Sequence, residues 1–282
     1  MMILAIESSA LVASVAVLED DVLKAEFTVN NKLTHSETLL PMLKQMMEIA
    51  GLDPDKVDAI AVAAGPGSFT GLRIGAATAK GLALAWNRPI VRVSTLQAMA
   101  FGLSTMSDAL ICPIMDARRG QVYSAVYQGG AVLLPEAARS IDELLQDLDG
   151  LEISKETAEY IFLGDGVPPC GETIASRLEG DVCFAGPEFS RQRASGVAVL
   201  GSILFNRWLD RTGLTPEELR TLGADGIDCF GGDVMHSDDF APDYLRQSQA
   251  ERELAEGVLE DAGQHSLHKL EKGLEKTGRR QR

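Results

Sequence analysis

The stretch from Ala59 to Pro89, AIAVAAGPGSFTGLRIGAATAKGLALAWNRP, restricts what this chain can fold into more than any other. It reads as a buried strand, a glycine-rich turn and a helix, in that order. Residues 59–64 are an unbroken apolar run with branched side chains at Ile60 and Val62, as in a strand covered on both faces. Gly65, Pro66, Gly67 and Ser68 break the run, and a helical spacing begins near Thr70. Leu72, Gly75, Ala76, Ala79, Leu82 and Ala83 then recur every three to four residues, so one face of the helix is apolar and built of small side chains. Another backbone can approach such a face closely. Gly71, Gly75 and Gly81 each cost roughly 0.5–1 kcal/mol against Ala in a helix interior, which close packing or ligand approach must offset. Asn87 and Pro89 stop the helix.

Other elements arrange themselves around this unit. Ile3–Ile6, Ala13–Leu18 and Ala25–Val29 predict an N-terminal meander with Glu7-Ser8-Ser9 at its first turn. Thr34 to Glu37 has the spacing of a capping box, opening a helix that runs to Ala50 and ends at Gly51, with Leu39, Leu43, Met46 and Met47 on its apolar side. A strand at Ile90–Val93 and a helix behind Ser94 complete a first lobe, assigned to residues 1–108. Residues 109–248 read as a second lobe. It starts with a hairpin, Leu110–Met115 and Gln121–Tyr127, around the charged turn from Asp116 to Gly120. A strand at Ala131–Leu134, a helix at Ile141–Leu148, a strand at Tyr160–Leu163, a helix at Cys170–Leu178 and a strand at Val182–Ala185 follow. The segment 194–210 is apolar enough to be a helix sandwiched at the lobe junction, and Asp210–Asp239 reads as irregular. Residues 249–282 form a charged tail with its acids early and its bases late, in keeping with a solvated helix.

Composition narrows the function classes. With 282 residues, 45% hydrophobic and 24% charged, the chain has the make-up of a globular protein with a core of its own. No window reaches the ~18 apolar residues of a membrane span. The start lacks the basic flank and cleavage site of a signal peptide, so a cytoplasmic location is expected. A formal net charge of −15 makes the chain a poor solitary nucleic-acid binder, because such binding rests on Lys and Arg neutralising phosphates. Cys112, Cys170, Cys183 and Cys229 are widely spaced, as for reduced structural thiols, and no metal site is expected.

Two chemical readings attach to the turns. Gly65-Pro66-Gly67 before a helix suits either phosphate contact or a tight strand-to-helix turn. It matches neither GxxxxGK[ST] nor GxGxxG. Glu7 and Ser8 end the first strand and Asp116 ends another, so the five residues Glu7, Ser8, Gly65, Gly67 and Asp116 could edge a nucleotide cleft, with weak ATP or ADP contact left open. Equally, Asp116 could simply answer Arg118 and Arg119 in its turn.

Five segments together carry a resemblance to a known family: IESS near the start, HSETLLP at 35–41, AVAAGPGSFTGLRIG at 61–75, MDARRGQVYSAVY at 115–127 and PDYLRQSQAE at 242–251. They resemble the TsaB (YeaZ) family of bacterial tRNA threonylcarbamoyladenosine biosynthesis proteins. The resemblance implies an α/β fold of two ribonuclease-H-like lobes with mixed sheets, the actin/Hsp70/sugar-kinase (ASKHA) type. It implies a role in placing a threonylcarbamoyl group on the adenosine beside the anticodon of tRNAs that read codons beginning with A. The metal-binding catalytic subunit in that system is the paralogue TsaD. TsaB pairs with it through first-lobe helices, the ATPase TsaE joins the pair, and tRNA is met only through the complex. Where TsaD carries two metal-binding histidines, this chain has Thr95 and Met99, and its second phosphate loop is replaced by Asp116-Ala-Arg-Arg-Gly120.

The expectation is therefore a non-catalytic partner subunit requiring no cofactor. Leu39, Leu43, Met46, Leu72, Gly75, Ala76 and Ala79 are expected to form the TsaD-facing surface, which would also let two copies pair when TsaD is absent. The alternative is an active nucleotide-dependent enzyme, an ATPase or small-molecule kinase built on Glu7, Ser8, Gly67 and Asp116. A metalloprotease finds no ligand set in the sequence.

Overall fold

The computed structural model describes residues 1–31, 34–104, 108–153 and 157–246. Two sheets of the same topology organise them. In the first, β1 (Met2–Glu7), β2 (Ala13–Glu19) and β3 (Val22–Val29) form an antiparallel meander, and β4 (Ala59–Gly65) and β5 (Ile90–Ser94) add in parallel beyond β1. In the second, β6 (Leu110–Asp116), β7 (Gln121–Gln128) and β8 (Ala131–Ser140) form the meander, and β9 (Glu159–Leu163) and β10 (Asp181–Phe184) extend it in parallel. A meander followed by two parallel strands, built twice, is the two-lobed ASKHA arrangement that the family resemblance implies.

The central strand behaves as its composition dictates. Every residue of β4 is buried, and β1 pairs with it from Ile3 opposite Ala59 to Ile6 opposite Val62. Alternation along β1 divides the core between the sheet's two faces. Leu4 and Ile6 meet α1 (His35–Ala50) and α2 (Phe69–Trp86), while Ile3 and Ala5 meet α6 (Ala194–Thr212). The second sheet packs α4 (Ile141–Asp149) and α5 (Val167–Arg177) on one face through Leu144, Leu148 and Ile174. On its other face lies α3 (Thr95–Ser104), through Leu96 and Ala100. Helices α3 and α6 thus fill the layer between the sheets. They touch where Gly196 lies under the Ala98 carbonyl.

The caps expected around Thr34, Gly51, Asn87 and Ser94 form. Glu37 accepts from the Thr34 backbone N–H at 3.2 Å, Gly51 ends α1 in the left-handed region and Asn87 closes α2 with φ 50°; Ser68, not foreseen as a cap, opens α2. Ser94 Oγ accepts from Gln97 N–H at 3.1 Å to start α3.

The second-lobe boundary is corrected. Rather than continuing to 248, the second lobe gives way at α6, which packs Val197, Phe205 and Trp208 on the first sheet. The chain stays there to the end of the described residues. Its "irregular" stretch includes α7 (Pro216–Leu222), opened by a Thr215–Glu218 capping box, and β11 (Val234–Met235), which pairs with β5. Arg220 of α7 donates to the buried Asp58 carboxylate at 2.6 Å, and Met2 N–H donates to the other oxygen at 2.7 Å. All four cysteines are free thiols. The tail assigned to 249–282 lies outside the described residues.

Candidate functional site

The C-terminal ends of β1, β4, β6 and β9 bring four turns to one region between the sheets. Glu7 is 1% exposed and accepts from Ser9 N–H at 2.6 Å. Burial pushes its carboxyl up to about 7; the hydrogen bonds from Ser9 oppose that, and Asp165 adds to it. Asp165, in the turn after β9, is itself raised by burial and accepts from Asp116 N–H at 3.2 Å. Asp116 meanwhile accepts from Arg118 N–H at 2.7 Å and pairs with that guanidinium at 3.3 Å, as a turn residue answering its own loop. Asp165 thus lies between Glu7, which it meets electrostatically, and Asp116, which donates to it; in the sequence its signal is an acid between Gly164 and Gly166 at a strand end.

The glycine turn is occupied by the chain itself. A side chain at Gly67 would strike the Ser9 backbone, one at Gly71 the Ser8 carbonyl, one at Gly75 the Ser8 hydroxyl and one at Gly65 the Asp243 carbonyl. Ser68 N–H donates to Ser9 O at 2.6 Å, and Ser8 Oγ donates to Gly71 O at 2.9 Å. The N-cap amide of Ser68 and the faces of Gly67, Gly71 and Gly75 therefore seat the β1–β2 turn. These contacts supply the close packing that compensates Gly71 and Gly75, whereas Gly81 has open space at its Cβ.

Thr95 is fully buried, and its hydroxyl has no hydrogen-bond partner. The Met99 methyl lies against Gly164. Among the described residues, no group of three or more His, Cys, Asp or Glu is placed to hold a metal ion. His35 has a structural contact, its Nε2 2.7 Å from Ala10 O.

The seven expected surface residues require correction. Leu39, Leu43, Met46, Leu72, Ala76 and Ala79 are buried, and Gly75 faces Ser8. Five of the seven, Leu39, Leu43, Met46, Ala76 and Ala79, belong to the core between α1, α2 and the first sheet. An apolar helix stripe lying on a sheet spends its surface there and has none to offer a partner. The outer side of the same two helices instead carries an apolar groove of about 780 Å³, lined among others by Leu40, Pro41, Met47, Leu52, Leu82 and Trp86. Of the seven, Leu43 alone also reaches it. Leu40 is 54% exposed, and Ile49 and Leu84 on the same helices are each 70% exposed. The sequence signal for this surface was the set of apolar residues falling off the core stripe.

Residues 29–253 match the family described as TsaD: tRNA N6-adenosine threonylcarbamoyltransferase. A Bacillus subtilis (strain 168) protein named tRNA threonylcarbamoyladenosine biosynthesis protein TsaB is 33% identical over 253 residues, covering 89% of this chain and 96% of the relative. The chain belongs to the TsaB (YeaZ) family. Its Escherichia coli (strain K12) relative of the same name is 35% identical over 178 residues, 59% of this chain and 72% of that one. A crystal structure of a Pseudomonas aeruginosa protein described as similar to peptidase YEAZ superposes with a TM-score of 0.66 at 25% identity, over 87% of this chain and 99% of that one. Among the described residues, no helix is long and apolar enough to cross a membrane.

Proposed function

We propose that this chain is a non-catalytic subunit of tRNA threonylcarbamoyladenosine biosynthesis that acts by binding a TsaD-type transferase through the groove between α1 and α2. The observation that carries this reading is the occupancy of the glycine turn by Ser8, Ser9 and Asp243. A phosphate needs open glycine faces and free amides at such a turn; here the faces of Gly65, Gly67 and Gly71 and the Ser68 amide meet the chain's own backbone. The residues present do not fit a nucleotide in that position, so no cofactor is assigned and no step is routed through one. Thr95 and Met99, where the resemblance puts metal ligands, offer a buried hydroxyl and a thioether packed on Gly164.

The groove supplies what a binding subunit needs. An aromatic anchor, Trp86, and aliphatic neighbours Leu40, Leu52 and Leu82 sit in a concavity rimmed by Lys44 and Glu48. That composition matches the centre and rim of a protein interface. The same groove would let two copies pair in the transferase's absence, with an ATPase of the TsaE kind joining the heterodimer and tRNA reaching this acidic chain only within the complex. The test is co-purification with the transferase: Trp86→Asp should abolish co-elution while the circular dichroism spectrum stays that of the parent. Persisting co-elution would reject the groove as the binding face. Calorimetry with ATP and Mg²⁺ addresses the enzyme alternative, for which tight binding and turnover by the isolated chain would be required.

A further inference from the structure

After leaving the second lobe, the chain returns along α2 and grips it at three levels. At its C-terminal end, the Asn87 carbonyl accepts from Ala224 N–H and the Asn87 side-chain oxygen from Asp225 N–H, each at 3.1 Å. Midway, Lys80 donates to the Asp238 carbonyl at 3.3 Å, and Phe240 is buried in the core shared by α1 and α2. Beside the N-terminal end the chain is anchored to the neighbouring strands: Asp243 N–H donates to Ala64 O of β4 at 2.7 Å, its carbonyl covers Gly65, and its carboxylate pairs with Arg92 of β5 at 3.0 Å. One residue on, the Tyr244 ring lies 4.4 Å from that of Phe69. Arg73 stacks 3.9 Å over Phe69 and donates from Nε to the Tyr244 hydroxyl at 3.3 Å.

None of these gripping residues lines the groove. Yet Leu82 and Trp86, which do, lie on α2 between the grips at Lys80 and Asn87. We propose that residues 224–244 form a clamp that fixes α2 and so holds the α1/α2 groove in its binding shape without touching the partner. This proposal rests on the groove reading for its binding consequence; its effect on α2 is independent of any partner.

The aromatic pair and the stacked guanidinium together amount to roughly tenfold in an equilibrium. Hydrogen exchange on the full chain, followed across α2, reads the clamp. Transferase affinity by calorimetry reads the coupling. Tyr244→Ala should speed exchange of the amides at 72–76 about tenfold and weaken the transferase by a similar factor, while Tyr244→Phe, which keeps the ring, stays within about threefold of the parent on both. Unchanged exchange in Tyr244→Ala overturns the clamp. Faster exchange with unaltered affinity overturns its coupling to binding, provided that Trp86→Asp abolishes binding in the same assay. Should Trp86→Asp leave binding intact, the groove reading fails, and the exchange result alone decides the clamp.

Discussion

Replacing Glu7 with Gln should make the protein more stable at pH 8 and leave it nearly unchanged at pH 4.5. Glu7 is enclosed at the end of β1, and burial carries its carboxyl from 4.5 to about 7. Between those values the folded state keeps a proton that the unfolded chain gives up, so stability is greatest below the unfolded value and falls as pH rises through the window. At about 1.4 kcal/mol per pH unit, the full window amounts to about 3 kcal/mol, an upper figure for a group this deep. Gln carries no such proton, and its amide oxygen can still accept the Ser9 N–H that Glu7 accepts at 2.6 Å. Urea unfolding of parent and variant at pH 4.5, 6 and 8 measures the difference, and comparing the two chains cancels the titration of every other carboxylate. The gap should open by about 2–3 kcal/mol in the variant's favour between the lowest and highest pH. Parallel curves across the range, or a variant less stable than the parent at pH 8, would refute the burial-driven proton on Glu7.

Three further outcomes are expected. Gly71→Ala drives a methyl into the Ser8 carbonyl and should cost several kcal/mol in urea unfolding, whereas Gly81→Ala, with open space at its Cβ, should be neutral or stabilising by up to about 1 kcal/mol. Arg220→Ala leaves the fully buried Asp58 carboxylate with the Met2 N–H hydrogen bond and the nearby charge of Arg88, and should cost about 1–3 kcal/mol, tempered by the partial exposure of the Arg220 guanidinium. Thr215→Ala removes the cap of α7 and should lower stability by about 1 kcal/mol; a calorimetric melt indistinguishable from the parent would show that α7 contributes nothing to the first lobe.

The strand, turn and helix of residues 59–87 were legible because each rule pointed the same way: a continuous apolar run, a glycine break, a 3.6-residue period and a left-handed Asn87 at the stop. What periodicity could not tell was which layer lies against the small face of α2. Gly75 is expected to face a partner, yet the β1–β2 turn takes the space at both Gly71 and Gly75, a contact spanning more than 60 positions in sequence. The outer groove of α1 and α2 was missed for the complementary reason. Leu40 falls off the core stripe and Trp86 ends it only partly buried, and an apolar residue on a helix's outer side carries little signal until a second helix brings another beside it. Residues 210–239 read as irregular because α7 is only 7 residues long and β11 only 2, although the Thr215–Glu218 capping box is readable. The chain's return to the first lobe depends on ion pairs and aromatic contacts, such as Arg220 with Asp58 and Tyr244 with Phe69, that no local pattern encodes.

A reconstituted tRNA threonylcarbamoylation assay, run with a TsaD-type transferase and its ATPase, decides whether this chain works as a binding subunit. Product should form with the parent chain and with Glu7→Gln, and should fall to the level without the chain when Trp86→Asp is substituted. Full product with Trp86→Asp, together with its loss in Glu7→Gln, would contradict the proposed role and return the function to the carboxylates between the lobes.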